Sequence, residues 1–380
     1  ARHRFELYDL ATKTNERVQY AGHTVCDAGA FSPDGKLFAG GFRNGVVRVW
    51  DTTTWNEKYL ERGHLQFVRA LAISPDGSKV LSAGNDDTLR RWDLAHPGKN
   101  EIVHRFIGSD FEHGRDPSGP FPVAYSPDGK LFAMLVREVG YYSFRDERAL
   151  LVWDAATLNK RWSAALKETL DSIGFSPDGK TIAGGHSDGS VRLWNTDQGI
   201  EAHRFSNVGR CAGVVFSSDG KLLAAASWDT NCIKVWNVAS GAEIHSWQDQ
   251  SMTTTAFDPE GRILAAGHLN GTISIWDLTD GKKKRTLTGH SAQIESLKFT
   301  PDGKTLVSSG GDGIIRLWNP EVERARAVIP LGPANAPLSV DLDPSGQFLI
   351  AGGHAPVIFV LRLDSESNGS QAPTVAPLKK

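Results

Sequence analysis

The chain has 380 residues, 40% of them hydrophobic and 23% charged, with a formal net charge of −2. That is ample for a large globular core, and it excludes the global basic field that draws in nucleic acid. No apolar run approaches a membrane span, and the three cysteines (Cys26, Cys211, Cys232) form neither a CxxC pair nor an even-numbered framework, so they read as small buried hydrophobes suited to a reducing, cytoplasmic setting.

The N-terminal stretch "ARHRFELYDL" has no apolar signal core and lacks Met, so the chain reads as a processed form or a fragment. Residues 4–20, "RFELYDLATKTNERVQY", parallel residues 233–247, "IKVWNVASGAEIHSW". Residues 16–21 therefore read as a fourth strand that arrives before any first strand, and residues 5–9 as a surplus third strand. From there a Pro-Asp-Gly type of turn recurs at Gly35, Gly77, Gly129, Gly179, Gly220, Gly261, Gly303 and Gly346. Proline presets φ and glycine supplies a positive φ, so each is a tight hairpin turn. Seven of the units then reach a tryptophan: Trp50, Trp92, Trp153, Trp194, Trp236, Trp276 and Trp318; in the eighth, Leu361 takes that place. Within a unit every segment is β-like, as in "AGVVFS", "KLLAAAS", "IKVWN" and "EIHSW" (residues 212–247).

One unit is thus a four-stranded antiparallel meander with two apolar faces, which radial stacking of units would bury. The expected architecture is an all-β, eight-bladed propeller spanning residues 1–364. Its last blade takes its inner strands from about residues 338–363 and is closed by residues 16–21, which protects the edge. Residues 5–9 and 357–363 both qualify as the third strand of that blade. Residues 365–380 read as a polar, disordered tail.

Turn, spacing and Trp-Asp endings recur together, and on these the chain resembles the WD-repeat β-propeller family from residue 5 to about 364. The resemblance implies a structural tetrad of His, Ser or Thr, Asp and Trp within a blade. Two units match it fully: His64, Ser82, Asp86, Trp92 and His290, Ser308, Asp312, Trp318. The first unit keeps His23 and Trp50 but has Gly40 and Asn44, and the fourth has Asp188 and Trp194 without a preceding Gly-His. A Ser-His-Asp set that recurs at blade spacing reads as scaffold, whereas a nucleophile site would occur once, with its own oxyanion donors.

Function must lie where the copy fails. Trp92 to Gly129 is 37 residues where other units use 25 to 28, and Gly129 to Trp153 is 24 where others use 15 or 16. The first excess falls in residues 107–121, between units two and three, and the second in residues 137–147, between the second and third strands of unit three. In a meander both connections emerge on one face, the upper face by the family's convention. They supply Phe111, His113, Arg115, Tyr141, Tyr142, Phe144 and Arg145, residue types that carry interface energy. The position that opens each first strand holds Asp27, Arg69, Phe121, Asp171, Ala212, Thr253, Glu295 and Leu338. Such a ring is the family's usual contact surface for peptides. Trp228 stands in the upper loop of unit five as a further candidate anchor.

Weaker features receive plainer readings. His186, His268 and His354 recur in alternate units and are read as solvated or hydrogen-bonded rather than as metal ligands. "KKKR" (residues 282–285) is read as a solvated charge cluster in a lower turn. The functional expectation is a non-catalytic scaffold, monomeric as a domain, that binds a protein or peptide on its upper face without metal or cofactor, nucleic acid or membrane. The alternatives are an enzyme or small-ligand binder at the channel mouth, and a sensor or targeting module cut from a larger protein. Against the enzyme, the sequence has no nucleophile elbow, dinucleotide fingerprint or metal spacing.

Overall fold

The computed structural model describes residues 5–9, 14–18, 26–96, 98, 100–105, 123–139, 146–167, 170–206, 208–227, 229–331, 337–343, 346, 348–353 and 358–363. Among them every regular element is a β-strand. The strands form seven four-stranded antiparallel sheets and one of five strands. Inner strands of consecutive sheets stand side by side. The inner pair of the eighth, Pro337–Leu342 and Phe348–Gly353, returns to the inner strand of the first, Cys26–Phe31. The sheets are therefore the blades of a closed ring, numbered here by their turn glycines.

The repeated turns do two jobs. All eight turn glycines have φ between 66° and 70°, a region that costs a residue with a Cβ. The seven turn glycines from Gly77 onward also meet the preceding blade around the lower rim. A Cβ on Gly129 would lie 3.2 Å from Pro75, one on Gly179 3.5 Å from Pro127, and one on Gly303 3.4 Å from Pro259. A buried Ser, Thr or Asp three residues before each glycine ties the turn: Ser32, Ser74, Ser126, Ser176, Ser217, Asp258, Thr300 and Asp343. In blade three the Ser126 hydroxyl donates to Asp128 (2.7 Å) and accepts from the Leu131 amide (3.0 Å). That hydroxyl, ahead of the Lys130 amide, holds the Asp128 carboxyl below its ordinary pKa.

The core lies between blades. Second strands such as Leu222–Ser227 are buried along almost their whole length, while outer strands such as Glu243–Gln248 alternate exposed and half-buried. All seven repeat tryptophans are buried. Trp236 packs with Phe205 of blade four (rings 4.6 Å apart) and Trp276 with Trp247 of blade five (4.6 Å). Six of the seven, Trp92, Trp153, Trp194, Trp236, Trp276 and Trp318, thus fill gaps against the preceding blade, as their recurrence suggests.

The closure departs from the expected arrangement. Ile358–Arg362 is the third strand of blade eight, pairing antiparallel with Phe348–Gly353. The strand Phe5–Asp9 pairs directly with Ile358–Arg362, and in parallel. Thr14–Val18 pairs only with Phe5–Asp9, as a fifth strand. An N-terminal strand does close the ring, but it is the surplus one rather than the one within residues 16–21. The pairing is local: Phe5–Asp9 and Thr14–Val18 pair with each other, so the first occupies the edge of Ile358–Arg362 and the second lies outside it. The tail from residue 364 onward lies outside the described residues.

Candidate functional site

The upper ends of the blades are held by polar knots, and two are the expected tetrads. In blade two, His64 Nε2 is 2.6 Å from Ser82 Oγ and Nδ1 2.8 Å from Asp86 Oδ1, and Trp92 Nε1 donates to Ser82 Oγ at 2.6 Å. In blade seven the same contacts are 2.8, 2.9 and 2.8 Å, through His290, Ser308, Asp312 and Trp318. Burial opposes ionisation of Asp86, but the His64 hydrogen bond and charge, the Leu65 amide and the Thr88 hydroxyl outweigh it and hold the carboxyl far below its ordinary pKa. Both histidines and both serines are buried, and each hydroxyl already accepts from an indole. A substrate has no path to these hydroxyls, so the sets are scaffold rather than catalytic triads.

Other blades fill the same volume differently. His186, at the end of the second strand of blade four, stands 5.8 Å from Trp194 at an interplanar angle of 53°. His64 holds nearly the same relation to Trp92 (5.9 Å, 52°) from the incoming connection of blade two. In blade one Phe42 occupies the matching strand position, 6.4 Å from Trp50. In blade six the ring is His268, with Nε2 2.8 Å from Ser274 Oγ and 3.7 Å from Asp249. Asp249, only 7% exposed, is paired with the Lys283 ammonium at 2.9 Å, which also sits over the Trp276 ring.

Two plainer readings are corrected here. His186 is neither solvated nor hydrogen-bonded: it is fully buried with both ring nitrogens unpartnered, and burial first, then the Arg192 charge, lower its pKa to about 4. His268 is hydrogen-bonded as expected. The basic run is not a free cluster in a turn. It opens the outer strand Lys282–Leu287, and Lys283, Lys284 and Arg285 pair with Asp249, with Asp277 and Asp280, and with Glu321. Among the described residues no group of three or more His, Cys, Asp and Glu is placed to hold a metal ion.

Blade three differs in shape. Its second and third strands, Leu131–Val139 and Asp146–Asp154, have nine residues each, against five or six in the other blades. Part of the expected loop at 137–147 is therefore ladder, with Arg137 opposite Arg148, Glu138 opposite Glu147 and Val139 opposite Asp146. Three extra residue pairs carry the hairpin about 10 Å beyond the repeat. The strand Asn100–Arg105 ends at the same face; the excess expected at residues 107–121 lies outside the described residues.

Most of the expected contact residues lie outside the described residues: Phe111, His113, Arg115, Phe121, Tyr141, Tyr142, Phe144, Arg145 and Trp228. Asp27 and Arg69 lie on the inner strands Cys26–Phe31 and Val68–Ile73. Glu295 lies on the inner strand of blade seven and accepts from Gln293 Nε2 at 2.7 Å. A cavity of about 940 Å³ opens on the lower face across blades two to four, lined by the repeated turns. Its charges are largely paired, as in Lys79–Asp93 (2.7 Å) and Lys130–Asp128 (3.1 Å).

A family model described as IFT122 first beta-propeller matches residues 122–371, and the model of the WD domain, G-beta repeat, matches residues 15–51 and 56–93. The human apoptotic protease-activating factor 1 is 23% identical over 393 residues, covering 84% of this chain and 31% of that protein. The WD repeat-containing protein 26 homolog of Arabidopsis thaliana is 23% identical, covering 76% of this chain and 47% of that one. The chain thus spans less than half the length of either relative. Chaetomium thermophilum Sqt1, in a crystal structure with the N-terminus of the ribosomal protein L10, superposes with a TM-score of 0.72 at 20% identity. The match covers 90% of this chain and 98% of Sqt1.

Proposed function

The chain belongs to the WD-repeat β-propeller family, and from that premise we propose that it is a non-catalytic interaction scaffold that binds a protein or peptide segment on its upper face beside blade three. Proteins of this family are generally interaction scaffolds without catalysis. The observation that carries the reading is the extended hairpin of Leu131–Val139 and Asp146–Asp154. Seven blades use a short connection at this point, so the packing of the ring does not require the extra length. The hairpin projects from the face at which the strand before the second long connection also ends. A peptide terminus is a partner of suitable size, and Sqt1, a propeller of the same fold, is seen with one.

Binding energy at such surfaces concentrates in a few anchors rich in Tyr and Arg. Of Tyr141→Ala, Tyr142→Ala and Arg145→Ala, those at anchor positions weaken a bound partner by more than about 1 kcal/mol, with melting unchanged. If all three variants hold the partner as tightly as the parent, the blade-three reading fails, and the inner ring at Asp27, Arg69 and Glu295 becomes the site to test.

A further inference from the structure

Blade eight contains two strands built to the same pattern. In the third strand of blade five, residues 233–237 read Ile233, Val235, Trp236, Asn237 at the first, third, fourth and fifth of those five positions. Phe5–Asp9 reads Phe5, Leu7, Tyr8, Asp9 in those places, and Ile358–Arg362 reads Ile358, Val360, Leu361, Arg362. The two lie side by side with Tyr8 opposite Leu361 and Leu7 opposite Val360. Both therefore stand at the register of a third strand, since Leu361 pairs with Leu349 as Trp236 pairs with Leu223 in blade five. This also accounts for a parallel pairing in an otherwise antiparallel set of ladders. Third strands all run one way through a blade, so a duplicate laid beside the first must be parallel to it.

We infer that Phe5–Asp9 and Ile358–Arg362 are interchangeable third strands, and that blade eight is a latch in which the N-terminal strand can displace the C-terminal one. The move needed is one strand spacing, about 4.8 Å, with no change of register or direction. Leu349 then faces Tyr8 instead of Leu361, and Ala351 faces Glu6 instead of Phe359. The product is Pro337–Leu342, Phe348–Gly353, Phe5–Asp9 and Thr14–Val18, a four-stranded antiparallel blade like the other seven, because the last two strands are already paired antiparallel. Ile358–Arg362 is released with the residues that follow it. The five-stranded form keeps one more ladder, so it is the major state and the exchanged form the minor one. A partner that takes the freed strand onto its own sheet edge would draw the equilibrium toward exchange. This inference is independent of the binding face proposed above.

Disulfide trapping in the full chain tests it. In the five-stranded blade Glu6 and Ala351 are separated by an intervening strand, about two spacings, beyond disulfide reach. In the exchanged blade they are opposite. A chain carrying Glu6→Cys and Ala351→Cys, held in a glutathione redox buffer, should accumulate the 6–351 linkage, while Phe359→Cys with Ala351→Cys reports the ground state. No 6–351 linkage under conditions that close 351–359 overturns the inference. Hydrogen exchange on the unaltered chain gives a second reading, free of folding effects from the cysteines. Simple fraying peels the blade from its edge, so Phe5–Asp9 would exchange before Ile358–Arg362. Strand exchange predicts the reverse, with the amides of Ile358–Arg362 at least about tenfold faster than those of Phe5–Asp9. The fraying order overturns it.

Discussion

A side chain at position 310 and the ring of His290 compete for one volume: a Cβ on Gly310 would collide with Nδ1 of His290 and with Oδ1 of Asp312. Gly84 stands in the same relation to His64 and Asp86. Blades four and six resolve the competition the other way, with His186 and His268 on the strand.

It follows that the histidine can be moved. Gly310→Ala and His290→Ala should each destabilise the protein by about 1–3 kcal/mol, the first through overlap and the second by leaving buried polar partners unpaired. Gly310→His combined with His290→Ala should be more stable than the sum of Gly310→His and His290→Ala predicts, by at least about 1 kcal/mol in a double-mutant cycle. Additive losses in denaturant melts would mean that the two positions do not share one pocket.

His186 gives a pH-dependent term. Its pKa is near 4 in the fold, against about 6.5 in an unfolded chain. Between these values the unfolded state holds a proton that the folded state does not, so stability rises with pH. Its share is absent as a penalty above pH 6.5 and reaches roughly 2–3 kcal/mol near pH 4. His186→Phe, which copies Phe42 of blade one, should flatten the stability profile across pH 4–6.5 and raise stability at pH 5. An unchanged slope would place the titration elsewhere, for example at His268 or His290, which burial also lowers.

Neighbouring lysines should behave differently. Lys283→Ala removes the partner of the buried Asp249 carboxylate and should cost on the order of 1–3 kcal/mol. Lys284, itself exposed, pairs with the half-buried Asp277 and the exposed Asp280, where water screens the charge, and Lys284→Ala should leave the melting temperature unchanged. Equal melting of the two variants would refute the assignment of Lys283 to the blade-six knot.

These contrasts mark what a sequence reader can and cannot see here. Turn glycines and tryptophans are legible because each is forced by a local requirement, a positive φ or a wide gap, that recurs at fixed spacing. The buried residue three before each turn glycine recurs just as strictly, and its role is legible for the same reason. The relocated histidine is harder, because one volume is filled from two chain positions about 20 residues apart (His64 and Gly84, His290 and Gly310). In blades two, four, six and seven the complementary pattern, Gly-His with a strand-end glycine or a strand-end histidine without Gly-His, betrays it, while blade one, with Gly22-His23 and Phe42, departs from it. Lys283 was misread because a charge run is solvated by default, and nothing in the run reveals that Asp249 of the preceding connection reaches it. The extended hairpin was legible as length but not as ladder, since "REVGYYSFRDE" has no strong strand alternation. The closure was legible as a surplus of strands, but pairing order within a blade depends on which edge is open when the hairpin arrives.

The measurement that bears most directly on the proposed scaffold is partner capture by two chains of equal stability. One is the parent, and in the other residues 137–147 are replaced by a two-to-four-residue connection of the length the other blades use. Both are first matched by melting, so that a difference in capture reflects the segment itself. Quantitative comparison of the proteins retained by each should show partners held by the parent and lost from the shortened chain, with their recovery restored when the original segment is returned. The same partners retained to the same extent by the shortened, folded chain would contradict the claim that blade three of the upper face is the binding surface.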